Sequence, residues 1–497
     1  MMYVHSLGRA ARYYPERPAA LGSDVKHWTF RELHDRVAAV AAGLSRHGFR
    51  AGDRLAVLLP NELEYLELIY ACSWLGVIAV PVNARSSAAE IDRVLADASP
   101  RGLIRHSSLP VPTVHLSWEL VLDKEPLDAP AASCPDPIYD PDAILALIYT
   151  SGTTGHPKGV LVTHANIQAN IDHLNYWMPY CEGGVHLHAA PVFHIADFPF
   201  IFAAPAFGTS QVTIPTFSAA SFCETVARER VSQTVLVPTM INLLTKFPDL
   251  EAFDLTSLEG LAYGGSPISP ALVRRTSEVL PGVKLVQGYG LSETGFLTGL
   301  QDHEHTEDRL TSCGRPCPGV DVLIMDESGR ELGPGHRGEL VARGANVMRG
   351  YWNDPEETRL AFRDGMFRTG DIGYRDADGF FYILDRVKDM IVTGGENVYC
   401  GEVEAVIYEH PAVLEAAVFG IPDPQWGELV AACVVRKPGT NLSTDDLIAH
   451  CRRFLANYKI PRHIEFSNTE LPKSGSGKIL KRLLRERFWA GQKRAVG

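Results

Sequence analysis

No stretch of this 497-residue sequence approaches the roughly 20 uninterrupted apolar residues that a membrane-spanning helix needs. A secretory leader is missing too. The opening MMYVHSLGRAARYYPERP has no apolar run followed by small residues, so a cytoplasmic location is the expectation. Paired cysteines are also lacking: the nine cysteines are scattered and odd in number, which suits reduced thiols rather than a disulfide framework. Cys313 and Cys317 form a lone C-x3-C without a second pair, and His303-Glu304-His305 is equally solitary. A structural zinc site needs four convergent ligands, so neither segment reads as one. Positive charge is in deficit, with 47 Lys and Arg against 59 Asp and Glu and a formal net charge of −12. That balance repels a polyanion and excludes a general nucleic-acid binder. No internal repeat is present.

What remains is the composition of a soluble globular protein, 45% hydrophobic and 21% charged. The chain is too long for one ordinary core, which implies a composite large domain and at least one smaller one. Charge is unevenly placed. From Arg452 to Gly497 there are twelve Lys and Arg against three Glu. This stretch is either a solvated helix face and tail or a basic cap that meets a multiply phosphorylated ligand.

The first half alternates helix and strand patterns. Thr29 and Glu32 read as a capping box, followed by Phe30, Leu33, Val37 and Leu44 on one helical face. A strand at Arg54–Leu59, a helix at Glu62–Leu75 and a strand at Val77–Val82 continue a β-α-β rhythm, which implies parallel sheets with crossover helices. The rhythm returns at Ala143–Tyr149, at Val231–Val237 with a helix at Ile241–Phe247, and at Lys284–Gln287. From about Thr311 short strands at Val320–Met325, Gly338–Ala342 and Phe380–Leu384 alternate with Gly/Pro/Asp turns, which predicts a small β-rich subdomain. After Asp385-Arg386-Val387-Lys388 the α/β pattern resumes. Helices are expected at Gly401–Glu409 and Thr444–Phe454, and strands at Glu415–Gly420 and Ala431–Arg436. The fold class is therefore α/β: a large domain over 1–387 and a smaller α+β domain over 388–497.

The chemistry concentrates in Thr150-Ser151-Gly152-Thr153-Thr154-Gly155-His156-Pro157-Lys158-Gly159, behind an apolar strand. Glycines let backbone approach an anion, amides and hydroxyls donate to phosphate oxygens, and Lys158 supplies charge. The G-x-x-x-x-G-K-[S/T] spacing of the common nucleotide loop is absent. A G-x-S-x-G hydrolase elbow is absent as well, because Gly264-Gly265-Ser266-Pro267-Ile268 and Gly290-Leu291-Ser292-Glu293-Thr294 both fail its spacing.

The Thr150–Gly159 string closely resembles the signature of the adenylate-forming superfamily, which includes acyl-CoA synthetases, adenylation domains of peptide synthetases and firefly-type luciferases. Further motifs of that family follow in order along essentially the whole chain. They are QGYGLSET at 287–294, GRPCPG at 314–319, Gly350-Tyr351-Trp352 with Pro355-Glu356, RTGD at 368–371, DRVKD at 385–389 and PKSGSGK at 472–478. The resemblance implies that ATP, coenzyme A and a carboxylic acid are the ligands, with Mg2+ as cofactor. It assigns the triphosphate to Thr150, Ser151, Gly152, Thr153, Thr154, Gly155 and Lys158, the adenine to the Tyr289 ring, and the ribose hydroxyls to Asp371. Gly265, Ser266, Gly288 and Gly290 complete the ATP contacts, and Glu293 and Thr150 hold the metal. Thr294 resembles the donor to the α-phosphate, Arg386 the arginine that contacts ribose or phosphate, and Lys478 the lysine that reaches the carboxylate and α-phosphate. Lys388 matches the hinge about which the small domain turns between the two half-reactions. Gly394 and Gly395 either leave room for a pantetheine arm or form a tight turn. His194, Asp197 and Gly264 fall at the acid pocket.

Two departures from the family pattern stand out. Cys400-Gly401 occupies a place where many relatives have proline, and a buried inert thiol is the expected reading. His194 replaces the aspartate with which amino-acid-activating members bind an ammonium group, which disfavours an amino-acid substrate. The apolar run Phe193–Phe207 suits an acyl or aryl pocket. A carrier-protein thiol as acceptor and a luciferase-like oxygenase are the rival readings, and a homodimer is the ordinary expectation for such an enzyme.

Overall fold

The computed structural model describes residues 6–22, 27–127, 129–130, 134–150, 157–386, 389–473 and 479–489. The predicted capping box is present: the Thr29 hydroxyl accepts from the Glu32 amide, Glu32 reaches back to the Thr29 amide, and the helix runs Phe30–Arg46. Its apolar face, Phe30, Leu33, Val37 and Leu44, is buried. The helix expected at Ile241–Phe247 instead spans Pro238–Leu244, because Pro238 at the first position has no amide to lose there and starts the helix early. The strand predicted at Lys284–Gln287 continues to Leu291, carrying Tyr289 on it.

Four sheets organise the chain. A six-stranded sheet is ordered Glu119–Val121, Gly102–Arg105, Arg54–Leu58, Ile78–Pro81, Ile144–Thr150 and Lys158–Thr163, parallel except for its last pair. A nine-stranded sheet has a parallel centre formed by Lys284–Leu291, Gly260–Gly264, Gln233–Leu236, Val185–His188, Ser210–Thr213 and Pro18–Leu21. Antiparallel strands close both of its edges. The β-rich subdomain is an antiparallel sheet in which Met366–Arg375 pairs with Gly338–Arg343, Phe362–Arg363 and Phe381–Arg386. The fourth sheet lies wholly after residue 390, with Gly427–Arg436 pairing Val413–Asp423, Ile391–Thr393 and His463–Ser467.

One apolar core runs from Leu7 to Phe381 and joins the first three sheets, whereas two further cores draw only on residues between Ile391 and Phe488. Among the described residues no helix is long and apolar enough to cross a membrane. Six of the twelve basic side chains from Arg452 onward make ion pairs with carboxylates of residues 389–486: Lys459 with Glu402, Lys473 with Glu415, Lys481 with Glu404, Arg482 with Glu486, Arg485 with Asp389 and Arg487 with Glu465. For these six the excess charge is structural, and they do not form a free phosphate-binding cap.

All nine cysteines are free thiols. Cys313 donates to the Phe381 carbonyl and Cys317 accepts from the Trp177 indole, and burial pushes both thiols up to about 12, so the C-x3-C segment is inert packing. Glu304 pairs with Arg315 and His305 with Tyr263, which consumes the His-Glu-His segment in the same way. Cys400 is fully buried and donates to the Asp389 carbonyl, and burial raises its thiol well above the ordinary value.

Candidate active site

Ser151, Gly152, Thr153, Thr154 and Gly155 of the phosphate string lie outside the described residues, as do Lys388 and Lys478. The residues that frame the string are well defined. Thr150 and Lys158 face each other at the end of an antiparallel pair, so the two ends of the string are held side by side. The Gly350-Tyr351-Trp352 segment is stitched to the outer strand of that pair: Leu161 donates to the Gly350 carbonyl at 2.9 Å and Trp352 to the Gly159 carbonyl at 2.7 Å. The following helix, Pro355–Ala361, is capped by Asp354 and presents Glu357 to the Lys158 ammonium. That ammonium also lies 5.3 Å from the centre of the Tyr351 ring. The Tyr351 hydroxyl in turn donates to Glu293 at 2.9 Å. Tyr351 and Glu357 thus join Lys158 and Glu293 in one chain of contacts. Spacing alone could not reveal it, because the members are brought together from three separate segments.

Glu293 sits in the turn between Lys284–Leu291 and Gly295–Leu300. The Met348 amide donates to its carbonyl at 2.7 Å. Thr294, expected as a phosphate donor, has its hydroxyl already engaged within the turn. It is 1% exposed, its hydroxyl accepts from the Leu291 amide and donates to the Gly295 carbonyl, and Asn346 donates to its own carbonyl. Its polar atoms are spent in closing the turn. The hydroxyl left available beside Glu293 is that of Ser292, which is half-buried and has no hydrogen-bond partner among the described residues.

Asp371 is almost fully buried and accepts from the Tyr289 hydroxyl at 2.7 Å on one oxygen, while Arg386 lies 3.3 Å from the other. The antiparallel register places Asp371 directly opposite Arg386. Burial, reinforced by Asp371, raises the Tyr289 phenol well above its usual value, so it remains a donor. Burial works against the charge of Arg386, but the attraction of Asp371, Asp389, Tyr289 and Glu293 outweighs it and raises the guanidinium further. The end of the strand Gly260–Gly264 lies close to the strand that carries Tyr289: a Cβ on Gly264 would meet the Gly288 carbonyl at 2.1 Å, so glycine is required there by packing. Gly265 and Ser266 follow in the same loop, and Gly290 lies on the Tyr289 strand.

At the acid-pocket segment, His194 is half-buried and its Nδ1 accepts from the Ala196 amide at 3.2 Å. Asp197 turns the other way. It is fully buried, and one carboxylate oxygen lies 2.6 Å from His188 Nδ1, so it does not line a pocket open to an acid. Gly394 and Gly395 form a two-residue turn with φ of +60° and +85°, and a Cβ on Gly394 would strike the Trp426 ring at 2.7 Å. The hairpin alone accounts for both glycines.

Three sheets therefore deliver their parts to one junction: a cationic strand pair, a carboxylate turn and a buried aspartate with its arginine. Comparison with known proteins agrees with that arrangement. The sequence matches the family described as AMP-binding enzyme over residues 7–352, and the AMP-binding enzyme C-terminal domain over residues 402–478. The chain belongs to the AMP-binding enzyme family. It is an AMP-forming acid–thiol ligase of the acyl-CoA synthetase group. A feruloyl-CoA synthase from Amycolatopsis sp is 39% identical over 464 residues, which cover 93% of this chain and 94% of that one. A long-chain-fatty-acid–CoA ligase of Bacillus subtilis (strain 168) is 34% identical over 523 residues, covering 96% and 93%. Among solved structures, o-succinylbenzoate CoA synthetase from Bacillus subtilis with its acyl-adenylate intermediate aligns at a TM-score of 0.86 and 32% identity, covering 96% of this chain and 97% of that one. The same enzyme in complex with ATP and magnesium ion aligns at 0.85 and 31%, covering 96% and 98%.

Proposed function

We propose that this AMP-binding enzyme joins a fatty acid or a cinnamic-type aryl acid to coenzyme A in two half-reactions at the junction of its three large-domain sheets. The observation that supports this reading best is the chain of contacts from Lys158 through Tyr351 to Glu293, together with Arg386, which feels both Glu293 and Asp371. The names of the relatives, a feruloyl-CoA synthase and a long-chain-fatty-acid–CoA ligase, support the substrate class. The apolar wall after His194, from Phe198 to Ala206, is consistent with it.

In the first half-reaction a carboxylate oxygen of the acid attacks the α-phosphorus of ATP. The bond from that phosphorus to the bridging oxygen breaks, and pyrophosphate leaves. Little covalent help is needed from the protein, because positioning and charge neutralisation do the work. Lys158 and the string hold the leaving pyrophosphate, Asp371 accepts from the ribose hydroxyls, and Lys478 neutralises charge as the carboxylate meets phosphorus. Glu293 suits Mg2+, since its carboxylate accepts from a neutral phenol and has no cationic partner within salt-bridge distance among the described residues. Mg2+ held there would neutralise the phosphates. In the second half-reaction the thiolate of coenzyme A attacks the acyl carbonyl and AMP departs with the bonding electrons. The small domain, hinged near Lys388, exchanges the Lys478 loop for the Gly394-Gly395 face between the steps.

Purified protein with ATP, Mg2+, coenzyme A and a panel of short, medium and long fatty acids plus benzoic and cinnamic acids should release pyrophosphate and AMP and form acyl-CoA with one of these classes. Release of ADP would overturn acid adenylation, and AMP release without acyl-CoA would overturn the choice of acceptor. For Asp371→Asn, kcat/KM for ATP should fall by about 10²-fold at saturating acid, because a charge-assisted contact to the ribose is lost and Arg386 loses its counter-charge. An unchanged value would remove the ribose role.

A further inference from the structure

We infer that the large domain contains a second, buried metal site, built from His186, His188 and Asp197 and suited to a divalent transition metal of the zinc class. His186 and His188 are two apart on the central strand Val185–His188, so both side chains leave the same face of the sheet. Asp197 precedes the helix Phe198–Ala206 that packs over that face. All three residues are completely buried. One ligand atom from each lies within 4.8 Å of the others, and among the described residues no other such group of three occurs.

The polar atoms here are incompletely satisfied. Neither ring nitrogen of His186 has a hydrogen-bond partner, nor does the second oxygen of Asp197 or the nearby Tyr180 hydroxyl. Buried polar groups in folded proteins are paired almost without exception, and a cluster of orphans marks a place for an ion or ordered water. His186 is held by apolar contact alone: its ring stacks on Phe200 at 4.7 Å and meets His188 edge-on at 4.9 Å.

The donor set selects the ligand. Two imidazoles and a carboxylate suit zinc and its neighbours, while Mg2+ prefers an oxygen-only shell. The support for a bound ion is also in place. His188 Nε2 lies 3.0 Å from the Gln211 side-chain oxygen, on the adjacent parallel strand, so its N–H can be fixed by that acceptor while Nδ1 turns to the metal. Zinc bonds of about 2.0–2.2 Å require the three ligand atoms, now within 4.8 Å of one another, to draw closer around the ion. Binding replaces the proton now shared by His188 Nδ1 and Asp197, which passes to solvent, so occupancy should be lost as the pH is lowered. The site lies apart from Glu293 and does not depend on the reaction proposed above.

The test is metal analysis of the full untagged chain grown with zinc and desalted after chelator treatment. One zinc per chain is expected, and cobalt substitution should give the visible absorption of a four-coordinate ion. His186→Phe, which preserves the stack on Phe200, and Asp197→Asn should each remove the metal while the circular dichroism spectrum is retained. Wild-type protein with near-zero zinc, and with a melting temperature that added zinc does not move, would mean that water fills the cluster and would overturn the site. Zinc retained by both variants would place it elsewhere and overturn it equally. Should the variants fail to fold, the zinc content and cobalt spectrum of the wild type decide the question alone.

Discussion

Lys478→Ala should lower acyl-adenylate formation by about 10²–10³-fold while leaving thioester formation from a supplied acyl-adenylate nearly unchanged. The lysine follows the run Ser474-Gly475-Ser476-Gly477 in the sequence and is assigned to the first half-reaction only. A cation placed where negative charge builds between carboxylate and α-phosphate acts on that transition state. The attack of a thiolate on an already activated carbonyl makes no use of it. Pyrophosphate exchange measures the first step and acyl-CoA formation from synthetic acyl-adenylate the second. Equal losses in the two assays would show that the residue acts on folding or on both steps, contrary to its proposed role.

Glu293→Gln should cost about 10²-fold or more in kcat/KM for ATP and shift the Mg2+ dependence to higher concentration. The glutamine amide oxygen can still accept from the Tyr351 hydroxyl, and the Met348 amide still donates to the backbone carbonyl at this position. The turn should therefore keep its shape and the melting temperature should hardly move. What disappears is the negative charge that suits the metal. A Mg2+ titration of activity, run beside thermal melts of both proteins, separates the two effects. A variant with an unshifted Mg2+ midpoint would rule out Glu293 as the metal ligand.

Much of the secondary structure was legible because local rules govern it. The Thr29–Glu32 capping box depends on residues three apart, and the alternation of apolar strands and amphipathic helices repeats over short windows. Where local rules competed, the boundaries moved, as at Pro238, which began a helix three residues before its apolar pattern. Candidate site residues were legible in sequence where a motif kept them contiguous, as with Tyr289 and Glu293. What each side chain meets was not: the Thr294 hydroxyl, next to Glu293 in sequence, is folded into the turn.

By itself the sequence determined that the chain is an α/β ligase, with a Gly/Thr-rich string, a carboxylate-bearing segment and an aspartate in a recognisable order. It did so because each of these is a short run of residues whose spacing carries its chemistry. Only the tertiary structure decided which side chains meet. The pairing of Lys158 with Glu357, the contact of Tyr351 with Glu293, the facing of Asp371 by Arg386 and the burial of Asp197 against His188 all follow from sheet register and helix packing. Apart from the short span between His188 and Asp197, these contacts join residues well separated along the chain, and no local pattern records them. The string Thr150–Gly159 stands out in the sequence; the partners of Lys158 do not, because Tyr351 and Glu357 arrive from a segment about 200 residues further on.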